Sequence, residues 1–582
     1  MFPHSKLSSG SRLFVSFSMV ATVFALVPAA ASAQWSTDPA VNLAVATGAG
    51  EQVQPKIAPT ADGGCFLSWY DGASGYDVRV QKLDASGNEV MAHNGVLVAD
   101  RSFSSTQDYG LDVDASGNAL LVFRDDRLGG TQITAAKIAP DGTALWGATG
   151  VQLTSTTDFV AAPKIAGSSD GGVVVAWTQD VDTRVQKLDA NGTPVWASDV
   201  VLSPGTGSYS ASDLHGAGDG AILSFIHQTG GFGSPRHIIA QKFDGSGSLL
   251  WGSAHVSVFD GGSVQFGNFP TFILDGDGGA VFSWYDAATS SLQCSVQRIL
   301  TTGVEAFPHN GVVVSTIASR VRVSPSVDFD PMTEEVFTFW KEQTTSQSQA
   351  GVYGQKIDVN GVRQWTDAGA MVVALSSDDI NNIETWAVDG GAMVFWDRAP
   401  AFAQDRIYGA RLDASGTIDL PTFDVASVVS NKSRLQVRES ALGFAILAWQ
   451  DGRTDASDVY AQNINADGSL GGDTTSAPDG AIRLVSAAYA TPNPASGRVE
   501  IVLSRSEGNG LVLGRPELDR VASSAEVFDV HGRSVRSGLV ASNAGMRLVW
   551  DGRTDDGRSV APGVYFVRFA GEGAGVPVTV VR

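Results

Sequence analysis

The sequence predicts an all-β protein: an eight-bladed β-propeller, with seven blades as the runner-up, followed by a small Ig-like β-sandwich. Three observations carry that prediction. A strand-and-turn unit recurs from about residue 50 to 475, and repeats of ~40–50 residues mark propellers and related arrays. Within each unit, short β-branched and aromatic runs are separated by Gly/Asp/Asn turns, with no sustained helical period of 3.6. After residue 478 the beat stops and about six short strands of a different pattern follow.

In chain order, the first element is an address. Lys6 and Arg12 precede an apolar run over residues 13–27, and Ala31-Ser32-Ala33 forms a small-x-small cleavage site. This is a signal-peptide pattern over residues 1–33, with a mature chain starting at Gln34. The run is shorter than the ~20 residues that span a bilayer, and no later segment reads as transmembrane. An exported, extracellular or cell-surface location follows.

Composition fits that address. The chain has 582 residues, 66 of them glycine, and 17% charged residues, against a usual ~7% and ~25%. Its 43% hydrophobic content supplies a core and excludes general disorder. A net charge of −22 argues against nucleic acid, whose phosphates must be neutralised by Lys and Arg. Two cysteines, Cys65 and Cys294, make no disulfide scaffold.

The repeat occupies residues 34–475. Its clearest copies read DGGCFLSWYD then VRVQKLDASG, GGVVVAWTQD then TRVQKLDANG, and GGAVFSWYDA then SVQRI. Marker aromatics stand at Trp69, Phe123, Trp177, Phe225, Trp284, Trp340, Trp396 and Trp449, 48 to 59 residues apart. Equal placement in each copy points to packing between sheets rather than to a ring of sugar-stacking aromatics. The eighth copy lacks a clear final strand. Trp35 and residues 41–45 look like that missing piece, so residues 35–46 are expected to close the ring and remove an exposed edge.

Two positions past the markers stand Asp71, Asp125, His227, Asp286, Glu342, Arg398 and Asp451. Carboxylates at strand exits fix loops by accepting turn N–H groups and pairing with nearby Arg. They are also the candidate ligand-face residues, as a rim for sugar hydroxyls or cations. Turns such as Asp275-Gly-Asp277-Gly make Asp275 and Asp277 weak calcium candidates, because a full loop needs further oxygen ligands. Catalytic and cofactor motifs are missing: no zinc spacing, P-loop or nucleophile elbow appears. Breaks in the repeat, at His227, Arg398 and the loops at residues 230–236 and 344–350, are where a ligand site is expected.

Residues 476–486 read as a linker, and 487–582 as the final domain. It contains Pro492-Asn493-Pro494, a V-x-D-x-x-G-R turn ending in Gly532-Arg533, Trp550-Asp-Gly with Gly557, and Pro562-Gly563-Val-Tyr565 before a last strand. This ordered set resembles the C-terminal sorting domain of type IX secretion cargo, which is similar to the Ig-like module of flagellar hook-capping (FlgD-like) proteins. The stretch over residues 504–520 is longer than that pattern. The resemblance implies recognition by an outer-membrane export machine and attachment at the cell surface. The repeats also resemble a W-x-D-x-R…Q…D-x-x-G-x-x-x-W repeat of secreted bacterial proteins, to which no defined activity is attached. Taken together, the sequence favours a non-catalytic binding or structural propeller with a glycan or protein ligand and no cofactor. The alternatives are a surface polysaccharide hydrolase and an adhesin or protein-binding scaffold.

Overall fold

The computed structural model describes residues 34–472 apart from 105, 107 and 289–291, and then residues 487–491, 499–504, 525–529, 533–537, 539–541, 547–555, 558–568 and 576–581. The signal-peptide pattern, the linker and the motif residues Pro492, Asn493, Pro494, Gly532 and Gly557 lie outside the described residues. Among the described residues every regular element is a strand, and no helix is long and apolar enough to cross a membrane.

Between Leu43 and Ile464 the chain folds into eight four-stranded antiparallel sheets, an all-β, propeller-type arrangement. Seven use four consecutive strands, the first running Gln52–Pro59, Cys65–Asp71, Asp77–Leu83 and Val96–Ala99. The eighth takes Lys432–Glu439, Ala445–Asp451 and Asp458–Ile464, and its fourth strand is Leu43–Ala46 from the other end of the chain. There Leu43 lies opposite Ala461 and Ala44 opposite Tyr460. The first strand of each sheet packs against the first strand of the next, and Lys432–Glu439 packs against Gln52–Pro59.

The repeated letters now have physical reasons. All eight marker aromatics are buried, each filling a gap between sheets, worth roughly 1.5–3 kcal/mol of burial apiece. The Gln of the QK pair turns its Oε1 back onto the chain: Gln186, Gln241 and Gln355 accept the N–H of Trp196, Trp251 and Trp365. The following cation buries its stem and reaches an acid near the preceding hairpin, as in Lys82–Asp62, Lys137–Asp114, Lys187–Asp170, Arg298–Asp275 and Lys356–Glu335.

In the units that carry one, a tryptophan after the third strand locks one sheet to the next. Trp146, Trp196, Trp251 and Trp365 each donate the indole N–H to a carbonyl in the following sheet's turn, at 3.0–3.2 Å. Trp35 does the same from the N-terminal segment to Ala85 of the first sheet, at 3.1 Å. The ring presses on the turn glycine. Gly87 has φ +81°, and a Cβ there would lie 2.7 Å from Trp35, so both the left-handed backbone and the space require glycine. The two cysteines are buried and unbridged, and burial pushes the Cys65 thiol up to about 12.

The described strands from Ala487–Thr491 to Val576–Val580 form two more four-stranded sheets. One carries buried Trp550 and the other Tyr565, with ring centroids 5.3 Å apart in an edge-on contact. The Trp550 indole donates to Arg553 O, and the Tyr565 hydroxyl donates to Ala561 O at 2.7 Å. Pro562 precedes the strand Gly563–Arg568. Arg533 is exposed and pairs with Asp529 at 3.1 Å.

Candidate functional site

The positions after the markers sit where second strands leave their sheets, and most are occupied by their own loops. Asp125 is buried, with Arg127 bonding both of its oxygens at 2.9 and 2.8 Å. Burial would raise this carboxyl, but the Arg127 bonds hold it below the usual range. Asp451 accepts from the Trp449 indole, Ser430, Lys432 and Arg453. Glu342 accepts from the Trp340 indole at 2.7 Å and pairs with buried Arg322 at 2.9 Å. Asp71 pairs with Arg79, and Asp286 accepts the N–H of Ser263 and Ala288. His227 contacts Thr206 O and Arg398 pairs with Asp378. These contacts are local to each loop; they do not gather the seven side chains around one point.

The calcium candidates separate in the same way. Asp275 is buried, with Oδ1 accepting two turn N–H groups and Oδ2 bound to Arg298. Burial, with the charge of Asp275 beside it, raises Asp277. Among the described residues no group of three metal-ligating side chains occurs.

An open surface lies instead at the loops that break the repeat. Phe232, on the 230–236 loop of the fourth sheet, is 89% exposed; Phe266 and Phe269, on the connection into the fifth sheet, are 69% and 41% exposed. Phe232 and Phe266 meet edge-on at 5.4 Å between centroids. The Arg236 guanidinium lies 5.5 Å from the Phe266 ring centre and 5.0 Å from that of Phe269, and donates to Gln265 O at 2.6 Å. Stacking on a cation orients such rings without burying them. Beside them opens a cavity of about 470 Å³ lined by Phe266, Phe269, Trp284, Tyr285 and Ser324 among others.

That cavity meets a second one. Thr271, Ser283 and Pro325 line both it and a chamber of about 270 Å³ bounded by the first strands of sheets four to eight. The chamber presents His215, Asp328, Glu384, Arg438 and Glu439. Asp328 accepts the N–H of Phe329 at 2.9 Å and of Ala387, in the next sheet, at 2.7 Å. Burial raises its carboxyl to about 6, against those bonds. Burial lifts Glu384 to about 7, with Arg438 pulling the other way. Burial disfavours the His215 imidazolium, yet Asp213, 3.1 Å away, holds the ring above its ordinary value.

Backbone bulges shape this wall. Ser324, Asn382 and Arg434 have positive φ at the same register break in the first strands of sheets six to eight, just before Ser326, Glu384 and Gln436. An extra residue in a strand re-aims the side chains that follow it. Just before the first strand of the second sheet, Asp108 is held by Lys56 and Lys164. Sequence reading reached the 230–236 loop through its departure from the repeat. It missed Phe266 and Phe269, which stand in an unusually long connection, and the chamber acids, which lie apart in sequence.

No protein-family model and no curated protein matches the chain. Among solved structures it is similar to the polysaccharide lyase Uly1, at 12% identity over 75% of this chain and 98% of that chain, with TM-score 0.40. It is similar to the β-propeller domain of the Trilobed protease from Pyrococcus furiosus, at 9% identity over 64% and 97% of the two chains, TM-score 0.34. A Dyadobacter fermentans protein of unknown function matches at 10% identity over 53% and 95%, TM-score 0.32.

Proposed function

We propose that the chain is an exported, cell-surface glycan-binding propeller. In this reading the eight sheets are eight blades of one closed ring, and the two terminal sheets are an Ig-like sorting domain that engages an outer-membrane export machine. The observation that carries the binding role is the exposed Phe232–Phe266–Phe269 group beside the 470 Å³ cavity. Aromatic faces flanked by hydrogen-bonding groups suit the alternating apolar and hydroxylated surfaces of sugar rings. The carboxylates after the markers then serve as loop pins.

A screen of the full chain against polysaccharides and oligosaccharides, read for binding and for released product, tests this. Binding without turnover, weakened by Phe266→Ala, is expected; no binding to any glycan contradicts the proposal. A second reading, hydrolysis, rests on Glu384, a carboxyl raised to about 7 in the chamber next to that cavity, which has the proton-donating character of a general acid. Product release abolished by Glu384→Gln would establish it.

A further inference from the structure

The chamber holds two ionisable side chains, Glu384 and Arg438, that form no ion pair among the described residues. Glu384 has no hydrogen-bond or ion-pair partner among the described residues, although it lines the cavity. Arg438 makes no ion pair among the described residues; its Nη1 donates to Val437 O at 2.7 Å, which leaves the rest of the guanidinium fork open. At several other positions along the first strands, charge is matched. Lys56 and Lys164 share Asp108, and His215 has Asp213. Asp112, Asp213 and Asp328 accept N–H groups of Gly167, Phe272 and Ala387, each in the following sheet. These three acids stitch neighbouring first strands together, whereas Glu384 and Arg438 stitch nothing.

We propose that the chamber is a subsite for one acidic sugar, a uronate, whose carboxylate pairs with Arg438 and whose hydroxyls meet Glu384. This rests on the glycan-binding reading and extends it inward, because the chamber and the aromatic cavity share Thr271, Ser283 and Pro325. Arg presents a planar fork that matches a carboxylate with two parallel bonds. A volume of about 270 Å³ lies just below the ~300–1,000 Å³ of drug-sized ligand pockets, so it takes a single ring while the rest of the chain lies over Phe266 and Phe269.

The groups facing Glu384 are Arg438 and Glu439 from the eighth sheet, Asp328 from the sixth, and His215 with Asp213 from the fourth. With Glu384 protonated, the sugar carboxylate meets a guanidinium and a neutral acid. As pH rises through about 7, Glu384 ionises against the bound anion, so uronate affinity falls while glucose binding stays flat.

Calorimetric titration of the full chain with glucuronate, glucose and a uronate-ended oligosaccharide tests the subsite. Glucuronate is expected to bind more tightly than glucose. Arg438→Gln should weaken glucuronate binding by about tenfold to a hundredfold, the loss of a charge-assisted pair, with glucose unaffected. Arg438→Lys restores it in part, and Glu384→Gln removes the part of the pH dependence that lies near 7, leaving that of Asp328 and His215. Arg438 is exposed, so its variants keep the wild-type melting temperature. Equal affinity for glucuronate and glucose, or no effect of Arg438→Gln, overturns the proposal. Neutral glycans bound through Phe266 with no uronate preference would sink the subsite and leave the glycan reading standing. Free glucuronate bound through Arg438, with no polymer bound and Phe266→Ala silent, would do the reverse.

Discussion

The positions that follow the marker aromatics and the loops of sheets four and five lie at the same end of the sheets, yet they do opposite things with their side chains. Asp125, Glu342 and Asp451 are buried and fully engaged by indoles, guanidinia and an ammonium. Phe232 and Phe266 stand in solvent, supported by one another and by Arg236. A residue repeated from sheet to sheet is answering a demand that each sheet makes, namely closing its own loop and packing on the next. A residue found in one sector answers something else. The difference separates framework from surface more sharply than residue chemistry does, since the framework here is acidic and the surface aromatic.

The comparison breaks if framework changes leave stability alone. Removing residues 34–46 takes away Trp35, Leu43 and Val45, all buried, and the fourth strand of the eighth sheet. Unfolding by denaturant should show a loss greater than about 5 kcal/mol, from roughly 1.5–3 kcal/mol per buried side chain plus an unpaired edge. Asp451→Ala leaves Lys432, whose side chain is fully buried, facing Arg453 without its anion. The expected loss is about 3–5 kcal/mol.

A subtler test uses pH. Asp397 is buried with Oδ1 unpartnered, and its carboxyl is pushed up to about 7, by burial first, with the charge of Asp405 adding to it and the Asn382 hydrogen bond opposing. Because the folded-state value lies above the unfolded ~3.9, the folded chain holds an extra proton between them. The contribution is therefore fullest below about pH 4 and is lost as pH rises towards 7. Asp397→Asn should raise the melting temperature at pH 8 and leave it unchanged at pH 4, measured across a pH series. The smallest stability effect belongs to the surface: Phe232→Ala stays within about 0.5 kcal/mol of wild type.

Much of the architecture could be read from letters because each sheet repeats the same local demands. Marker aromatics and turn glycines recur in every unit at fixed offsets, the QK pair and a tryptophan after the third strand in several of them, and each has one physical job. The β-strand content and the propeller-type run of sheets follow from that pattern. The candidate site was harder to see. Phe232 lay in a loop that departs from the repeat, but Phe266 and Phe269 carry no pattern beyond a long connection. Glu384 and Arg438 are 54 positions apart and come together only because first strands of adjacent sheets pack side by side. The carboxylates that attracted notice as a rim are ones whose lone pairs the fold has already claimed, which no linear reading reveals.

In the proposed reading, ligand binding resides in the sector that breaks the repeat. The direct measurement is the affinity of the full chain for its best glycan in two double variants, Phe232→Ala/Phe266→Ala and Asp71→Asn/Asp286→Asn, with melting temperatures recorded alongside. About tenfold or greater weakening, at unchanged melting temperature, is expected for the phenylalanine pair, since each aromatic contact contributes ~0.5–1.5 kcal/mol beyond area burial. For the aspartate pair the expected result is a lower melting temperature and, in the folded protein, unchanged affinity. Affinity lost in the aspartate pair and kept in the phenylalanine pair would contradict it.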